Sequence, residues 1–122
     1  MSIRDVFLAG VETAFSIFND AVKTASYTFI VDNGFDDITE TPDSCRIIKE
    51  TFSKDDINLS FANEVQPTDI KGLVPFVDLI AEPNSGDTIT IEDSLSTTKT
   101  FSVVAYELDP MSVLFTFLLR KA

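Results

Sequence analysis

Histidine and tryptophan are both absent from this chain of 122 residues. Without histidine the sequence lacks the commonest general base near neutral pH, the usual base of a nucleophilic triad and the commonest metal ligand. The single cysteine, Cys45, can form no intrachain disulfide, which fits a reducing cytosol. With no histidine to activate it, Cys45 reads as a small buried apolar residue rather than a nucleophile. Gly86 is not followed by the second glycine and Lys-Ser/Thr of a phosphate-binding loop. Positive charge is scarce too: nine Lys and Arg stand against twenty Asp and Glu, a formal net charge of −11. Nucleic-acid binders need basic surfaces to neutralise phosphate, so most of this surface should repel DNA. Long apolar runs are missing. Residues 1–10 hold no apolar core of signal-peptide length, and VLFTFLL at 113–119 is too short to cross a bilayer as a helix. No membrane association is expected.

What the chain does hold is material for a core. Hydrophobic residues make up 44%, and eleven residues are Phe. That composition favours buried packing over disorder. The length suits one domain, and no repeat or composition break divides it. Residues 1–122 therefore read as a single domain, a helix over about 2–25 and a β-rich body over about 26–121.

Ile3, Phe7, Val11, Ala14, Phe18, Ala21, Val22 and Ala25 recur at three- and four-residue steps, Leu8, Phe15 and Ile17 widen the face, and together they predict an amphipathic helix from Ser2 to about Ala25. Ser2 and Asp5 form a weak capping box at its start. Its polar side carries mostly acids, unlike a membrane-surface helix, so packing on a sheet or a partner is expected. The period then changes to two. Strands are predicted at Tyr27–Val31, Cys45–Phe52, Ile57–Phe61, Leu73–Ile80, Thr88–Glu92, Lys99–Leu108 and Ser112–Arg120. Pro75 argues for an edge or a bulge. Asp109-Pro110-Met111-Ser112 matches a type I turn. Residues 32–44 and 62–72 read as loops. In the last strand Val113, Phe115, Phe117 and Leu119 face one way and Leu114 and Leu118 the other, so both faces should be covered, the outer one by the helix or a neighbouring subunit. The expected class is α+β: an N-terminal amphipathic helix, then a mostly antiparallel β-sandwich or small β-barrel of six or seven strands.

The acidic clusters carry little chemistry. In DNGFDD, residues 32–37, counting from Asp32 puts Gly34 third, Asp37 sixth and Asp43 twelfth, which fails the EF-hand pattern. An acidic surface turn remains. Lys54-Asp55-Asp56 and Glu92-Asp93 read as solvated turns, because neighbouring strand residues point to opposite faces and no pocket is in sight. Asp87, beside Gly86, reads as a solvated turn carboxylate, with Ile89 and Ile91 facing inward. No catalytic group, metal site or cofactor is expected, and the chain is not read as an enzyme.

The C-terminal third, GDTITIEDSLSTTKTFSVVAYELDPMSVLFTFLLRKA, resembles the small head–tail joining proteins (connectors or stoppers) in the neck of long-tailed, lambda-like bacteriophages. The carrying features are the strand Gly86-Asp87-Thr88-Ile89-Thr90-Ile91, the strand from Val103 into Asp109-Pro110, and the apolar strand Leu114 to Leu119. A Phe/Ala-rich first helix and a following Tyr/Thr strand extend the likeness; residues 32–72 match nothing in it. The resemblance implies a hexameric ring between the portal or adaptor and the tail, with genomic DNA passing through the lumen without tight binding. It implies a virion protein made in the host cytoplasm. Asp32, Phe35, Asp36, Asp37, Glu64, Gln66, Asp69 and Lys71 are then candidate contacts to neighbouring neck proteins, and Phe7, Phe18, Leu114 and Leu118 candidate subunit-packing residues. A tail terminator or tail-tube component is the alternative within that class. A small acidic inhibitor, an immunity protein or a DNA mimic, is the alternative outside it.

Overall fold

The computed structural model describes residues 2–17, 22–32, 34, 38–53, 56, 59–94 and 97–122. Helix α1 spans Ile3–Ile17. The strands among the described residues are β1 Val22–Asp32, β2 Ile38–Thr51, β3 Ile70–Pro75, β4 Thr88–Ser94, β5 Thr97–Leu108 and β6 Leu114–Lys121. Every pairing is antiparallel. The order β1-β2-β3-β6-β5-β4 closes on itself, so the α+β chain is a helix followed by a closed barrel.

Alternate residues point into the barrel, as the two-residue period of a strand requires. Tyr27, Ile47, Val74, Ile89, Ile91, Phe117 and Leu119 are fully buried there. The centre is aromatic: Tyr27 meets Phe29 at 4.5 Å and Phe117 at 5.8 Å between ring centroids, and Phe117 meets Phe115 at 5.6 Å. Tilted rings of this kind fill the interior. The β5–β6 register shifts between Val103 and Ala105, a bulge that bends the wall toward closure.

The helix boundary differs from the expected one. Residues Val22–Ala25 lie in β1, opposite Ile48–Cys45 of β2, and Ala25 faces the core. Helical periodicity runs on past Ile17, but pairing in the sheet decides the conformation of a Val-Lys-Thr-Ala segment. Phe18 and Ala21 lie outside the described residues. Strand β2 starts earlier than expected, because ITETPDS is paired along its length with β1. The Leu73–Ile80 strand begins at Ile70 instead and ends at Pro75, and a 3-10 turn follows at Phe76–Asp78. Leu59–Phe61 form a bend and turn rather than a strand. Phe61 is buried, edge-on to Phe52 at 6.1 Å, so its side chain serves packing without a ladder. Ile57 and Asn58 lie outside the described residues.

At the N-terminus the capping box is present: the Asp5 N–H donates to Ser2 Oγ at 3.1 Å, and the Ser2 N–H to Asp5 Oδ2 at 3.2 Å. Only one edge of the expected apolar face of α1 meets the barrel. Phe15 is its buried residue, whereas Ile3 and Phe7 face outward. Two arginines set that placement. Arg46 of β2 pairs bidentately with Glu12 at 2.9 Å and lies 5.5 Å from the Phe15 ring centroid. Arg4 donates to the Ser112 carbonyl at 3.2 Å and sits 5.6 Å over Phe76. The hydrogen bond from Arg46 holds the Glu12 carboxyl below its usual range.

Candidate interaction surfaces

Asp87 is the largest departure from the sequence reading. Far from being solvated, it is 1% exposed. Gly86 adopts φ +98°, a left-handed turn conformation that suits glycine, and this turns Asp87 inward. Its carboxylate accepts from Tyr27 Oη at 2.6 Å, the Ile30 N–H at 2.9 Å and the Asn84 N–H at 2.8 Å. Burial, and then this carboxylate, push the Tyr27 hydroxyl well above its ordinary range. The set ties β1 to the turn before β4 and satisfies a strand-edge N–H. It offers no open side to a substrate.

Other aspartates are used in the same way. Asp78 accepts the Arg46 backbone N–H at 2.9 Å on the edge of β2. Asp109 accepts from the Met111, Val113 and Leu114 N–H groups and holds the expected turn, which the Ser112 N–H closes onto the Asp109 carbonyl at 2.9 Å. Asp56, read as part of a solvated turn, accepts the Ser53 N–H at 2.7 Å. These carboxylates are committed to backbone donors, which accounts for part of the acidic composition.

Asp56, Glu64 and Asp69 are tied to the outward residues Lys71 of β3 and Arg120 of β6. Lys71 reaches Asp56 at 2.9 Å and Glu50 at 3.2 Å. Arg120 reaches Asp69 at 2.9 Å and the Glu64 carbonyl at 3.1 Å. Leu118, paired with Lys71 and beside Arg120, is fully buried yet stands apart from the barrel-core cluster. Its outer face was expected to meet α1 or a neighbour; within the chain itself Leu118 is already buried. Of the candidate contacts, Asp69 and Lys71 are thus held inside the chain, and Glu64 and Gln66 are exposed. Leu114 is half-buried, and Asp32 closes β1 opposite Ile38. Phe35, Asp36 and Asp37 lie outside the described residues.

Hydrogen bonds from Lys71 and Arg120 hold the Asp56 and Asp69 carboxyls below their usual range. A depressed carboxylate adds stability that is complete above its unfolded-state value and is lost as pH falls through the folded one. The urea midpoint should therefore stay level from neutrality down to the ordinary carboxylate range and drop below about pH 4. Asp69→Asn should flatten that drop.

Cys45 is buried, as expected. Burial first, then the Asp78 and Asp43 charges, push its thiol up to about 12. A disulfide reagent at neutral pH should leave the native protein unlabelled for hours and label it within minutes in urea. Rapid native labelling would contradict the placement.

Three features stand out at the surface among the described residues. First, α1 exposes Ile3, Val6 and Phe7 at 68%, 57% and 51%. Second, β1 and β2 run on past the barrel. β1 pairs with β4 only over Ala25–Thr28 and β2 with β3 only over Ile48–Thr51, yet β1 and β2 stay paired from Val22 to Asp32. The paired residues 29–32 and 38–41 extend beyond the β1–β4 pairing as an arm, with Val31 and Glu40 exposed. Pro42 offers no N–H and Asp87 takes that of Ile30, so the arm's edges are blunted against casual strand pairing. Third, the opposite end of the barrel opens into a cavity of about 750 Å³ lined by Lys49, Lys99, Lys121, Ile70 and Phe101 among others. Among the described residues no group of His, Cys, Asp and Glu is arranged to hold a metal ion.

The sequence reading did not single out the lysines at that mouth. A signal was present. Lys49 stands two residues beyond Ile47, Lys121 two beyond Leu119, and Lys99 two before Phe101, each in phase with an inward-facing residue. Lys23 stands opposite Ile47 in the same phase.

Compared with protein-family models, with curated proteins and with solved structures, the chain matches none of them.

Proposed function

We propose that the chain is a structural protein of a bacteriophage neck, a ring-forming connector or stopper that joins the DNA-filled head to the tail. The observation that carries this reading is the second apolar surface. The barrel encloses its own core, yet α1 turns Ile3, Val6 and Phe7 to solvent. A ring subunit needs such a face beyond its core, because closed rings join two different patches of each subunit. The likeness of the C-terminal third to head–tail joining proteins supplies the class. The net charge of −11 supports a wall past which DNA slides, since tight phosphate binding would stall passage. In this reading the ring is a hexamer, its partners are portal or adaptor and tail proteins, and its place is the virion neck.

Electron microscopy of particles made without the protein tests this. Filled heads beside free tails are expected. Overlong tails would point to a tail terminator instead, and normal joined particles would sink both readings. The acidic-inhibitor alternative loses ground to the carboxylates already engaged by backbone N–H groups. A mimic must present its acids outward.

A further inference from the structure

We propose that the outward face of α1 seats a second copy of this chain, the two helices packed antiparallel so that Ile3 and Phe7 of each meet Ala14 and Gly10 of the other. The inference goes beyond the function proposed above and does not rest on it. A two-fold contact has no place between neighbours in a cyclic ring, so the pair is the state of the free chain. It covers in solution the apolar face that a ring would use later.

Helix α1 carries two stripes. Arg4, Leu8, Val11 and Phe15 turn toward the barrel: Phe15 is buried and the other three are half-buried. Ile3, Phe7, Gly10 and Ala14 repeat the same spacing of four, three and four, one residue earlier. At 3.6 residues per turn the second stripe lies about 100° round the helix, clear of the first. Ile3 and Phe7 are more than half exposed there, and Val6 beside them is too.

Gly10 is the clue to what covers this stripe. A glycine inside a helix weakens it relative to alanine. The single chain makes no use of the gap: among the described residues no neighbouring side chain or strand comes within 4 Å of a Cβ placed there. Instead Val6, Phe7, Gly10 and Val11 line an open groove of about 390 Å³. The order of sizes along the stripe identifies the occupant. Its large residues, Ile3 and Phe7, stand in the first half, and its small ones, Gly10 and Ala14, in the second. A second α1 laid antiparallel sets large against small in every layer, knob into hole. A parallel copy would set Phe7 on Phe7 and leave a void at Gly10. Antiparallel helices also oppose their dipoles favourably. Area agrees with a modest dimer. Ile3, Val6 and Phe7 leave on the order of 100 Å² each in the open, with the groove adding about 200 Å². A pair then covers roughly 1,000 Å², the lower bound for a specific interface, which suits a dissociation constant on the order of micromolar.

The test is sedimentation velocity on the purified full chain over a concentration series. Wild-type protein should pass from monomer to dimer and stop there. Added salt should hold or tighten the dimer, because the contact is apolar and two acidic chains repel each other less when screened. Gly10→Ala should raise the melting temperature of the dilute chain by about 4 °C, since alanine favours the helix. The same change should raise the dimer dissociation constant at least about tenfold, because the methyl group stands where the partner's Phe7 packs. A merely structural role for Gly10 would move the melting temperature alone. Gly10→Leu and Phe7→Ala should each stay monomeric, the first by overfilling both central layers and the second by emptying them. Mixed together, these two variants should pair one to one. One layer then keeps Phe7 on Gly10, and in the other the new leucine faces the new alanine. Wild-type protein that is monomeric at every concentration would overturn the proposal. So would wild-type species that grow past the dimer, Gly10→Leu chains that pair like wild type, or a mixture that stays monomeric.

Discussion

Asp87→Ala is expected to lower the unfolding free energy by about 4 kcal/mol, because it strands three donors at once. The Tyr27 hydroxyl is fully buried, and the bonds from the Ile30 and Asn84 N–H groups are partly buried. Each unsatisfied buried donor costs on the order of 1–3 kcal/mol, and a carboxylate acceptor makes each bond stronger than a neutral one. A domain of ordinary stability has about 5–15 kcal/mol in hand, so the change takes a large share. The melting temperature should fall by on the order of 15 °C. Tyr27→Phe removes one donor and leaves the other two paired, so it should cost about 1–2 kcal/mol. In a double-mutant cycle the pair should couple strongly, since they share one short hydrogen bond. Urea denaturation of the two single variants and the double variant measures all three terms. A loss below about 0.5 kcal/mol for Asp87→Ala, the size of a surface substitution, would show that the carboxylate is solvated after all.

Gly72→Val should cost about 3 kcal/mol for a reason of space rather than of backbone freedom. Gly72 occupies an inward position of β3, paired with Phe117 on one side and Lys49 on the other. A Cβ placed there would stand 2.9 Å from Ile47 Cδ1 and 2.9 Å from Leu119 Cδ1. Those methyls fill the space that a side chain would use. They are the ends of side chains and can turn aside, so Gly72→Ala should cost only about 1 kcal/mol. Valine adds carbons that have nowhere to go in a close-packed barrel. Ile47→Ala placed in the Gly72→Val background should recover part of the loss. If Gly72→Val melts with the wild type, the barrel interior is looser than described.

Both positions show where sequence reasoning reached and where it stopped. Strands β4, β5 and β6 were legible because Thr-Ile-Thr-Ile, the run to Leu108 and the Asp-Pro turn combine period two with clear punctuation. The start of α1 was legible from Ser2 and Asp5, whose bonds depend only on neighbours three residues apart. The end of α1 was not. Apolar spacing fits a helix through residue 25, and only pairing with residues 45–48 makes Val22–Ala25 a strand. The first half of β2 was hidden for a similar reason: Thr-Glu-Thr-Pro-Asp lacks an alternating apolar pattern and is held by β1. Burial of Asp87 depends on Tyr27, sixty positions away in the chain, and no local signal records that distance. The barrel mouth stands between these cases. Its lysines continue the inward phase of strands that were themselves predicted, so closing the barrel was the missing step.

The acidic composition also reads differently once the fold is in view. Asp56, Asp69, Asp78, Asp87 and Asp109 are engaged by backbone N–H groups, most of them at turns and strand edges. They blunt edges that would otherwise invite pairing with any passing strand. The apolar residues Ile3, Val6 and Phe7 of α1 stay exposed. A protein organised in this way suits a fixed place in an assembly.

Gold-labelled antibody against the chain, imaged on mature phage particles, tests that claim most directly. The account predicts label at the junction of head and tail on most particles. Label along the tail tube, or none on particles that are complete and infectious, would contradict it.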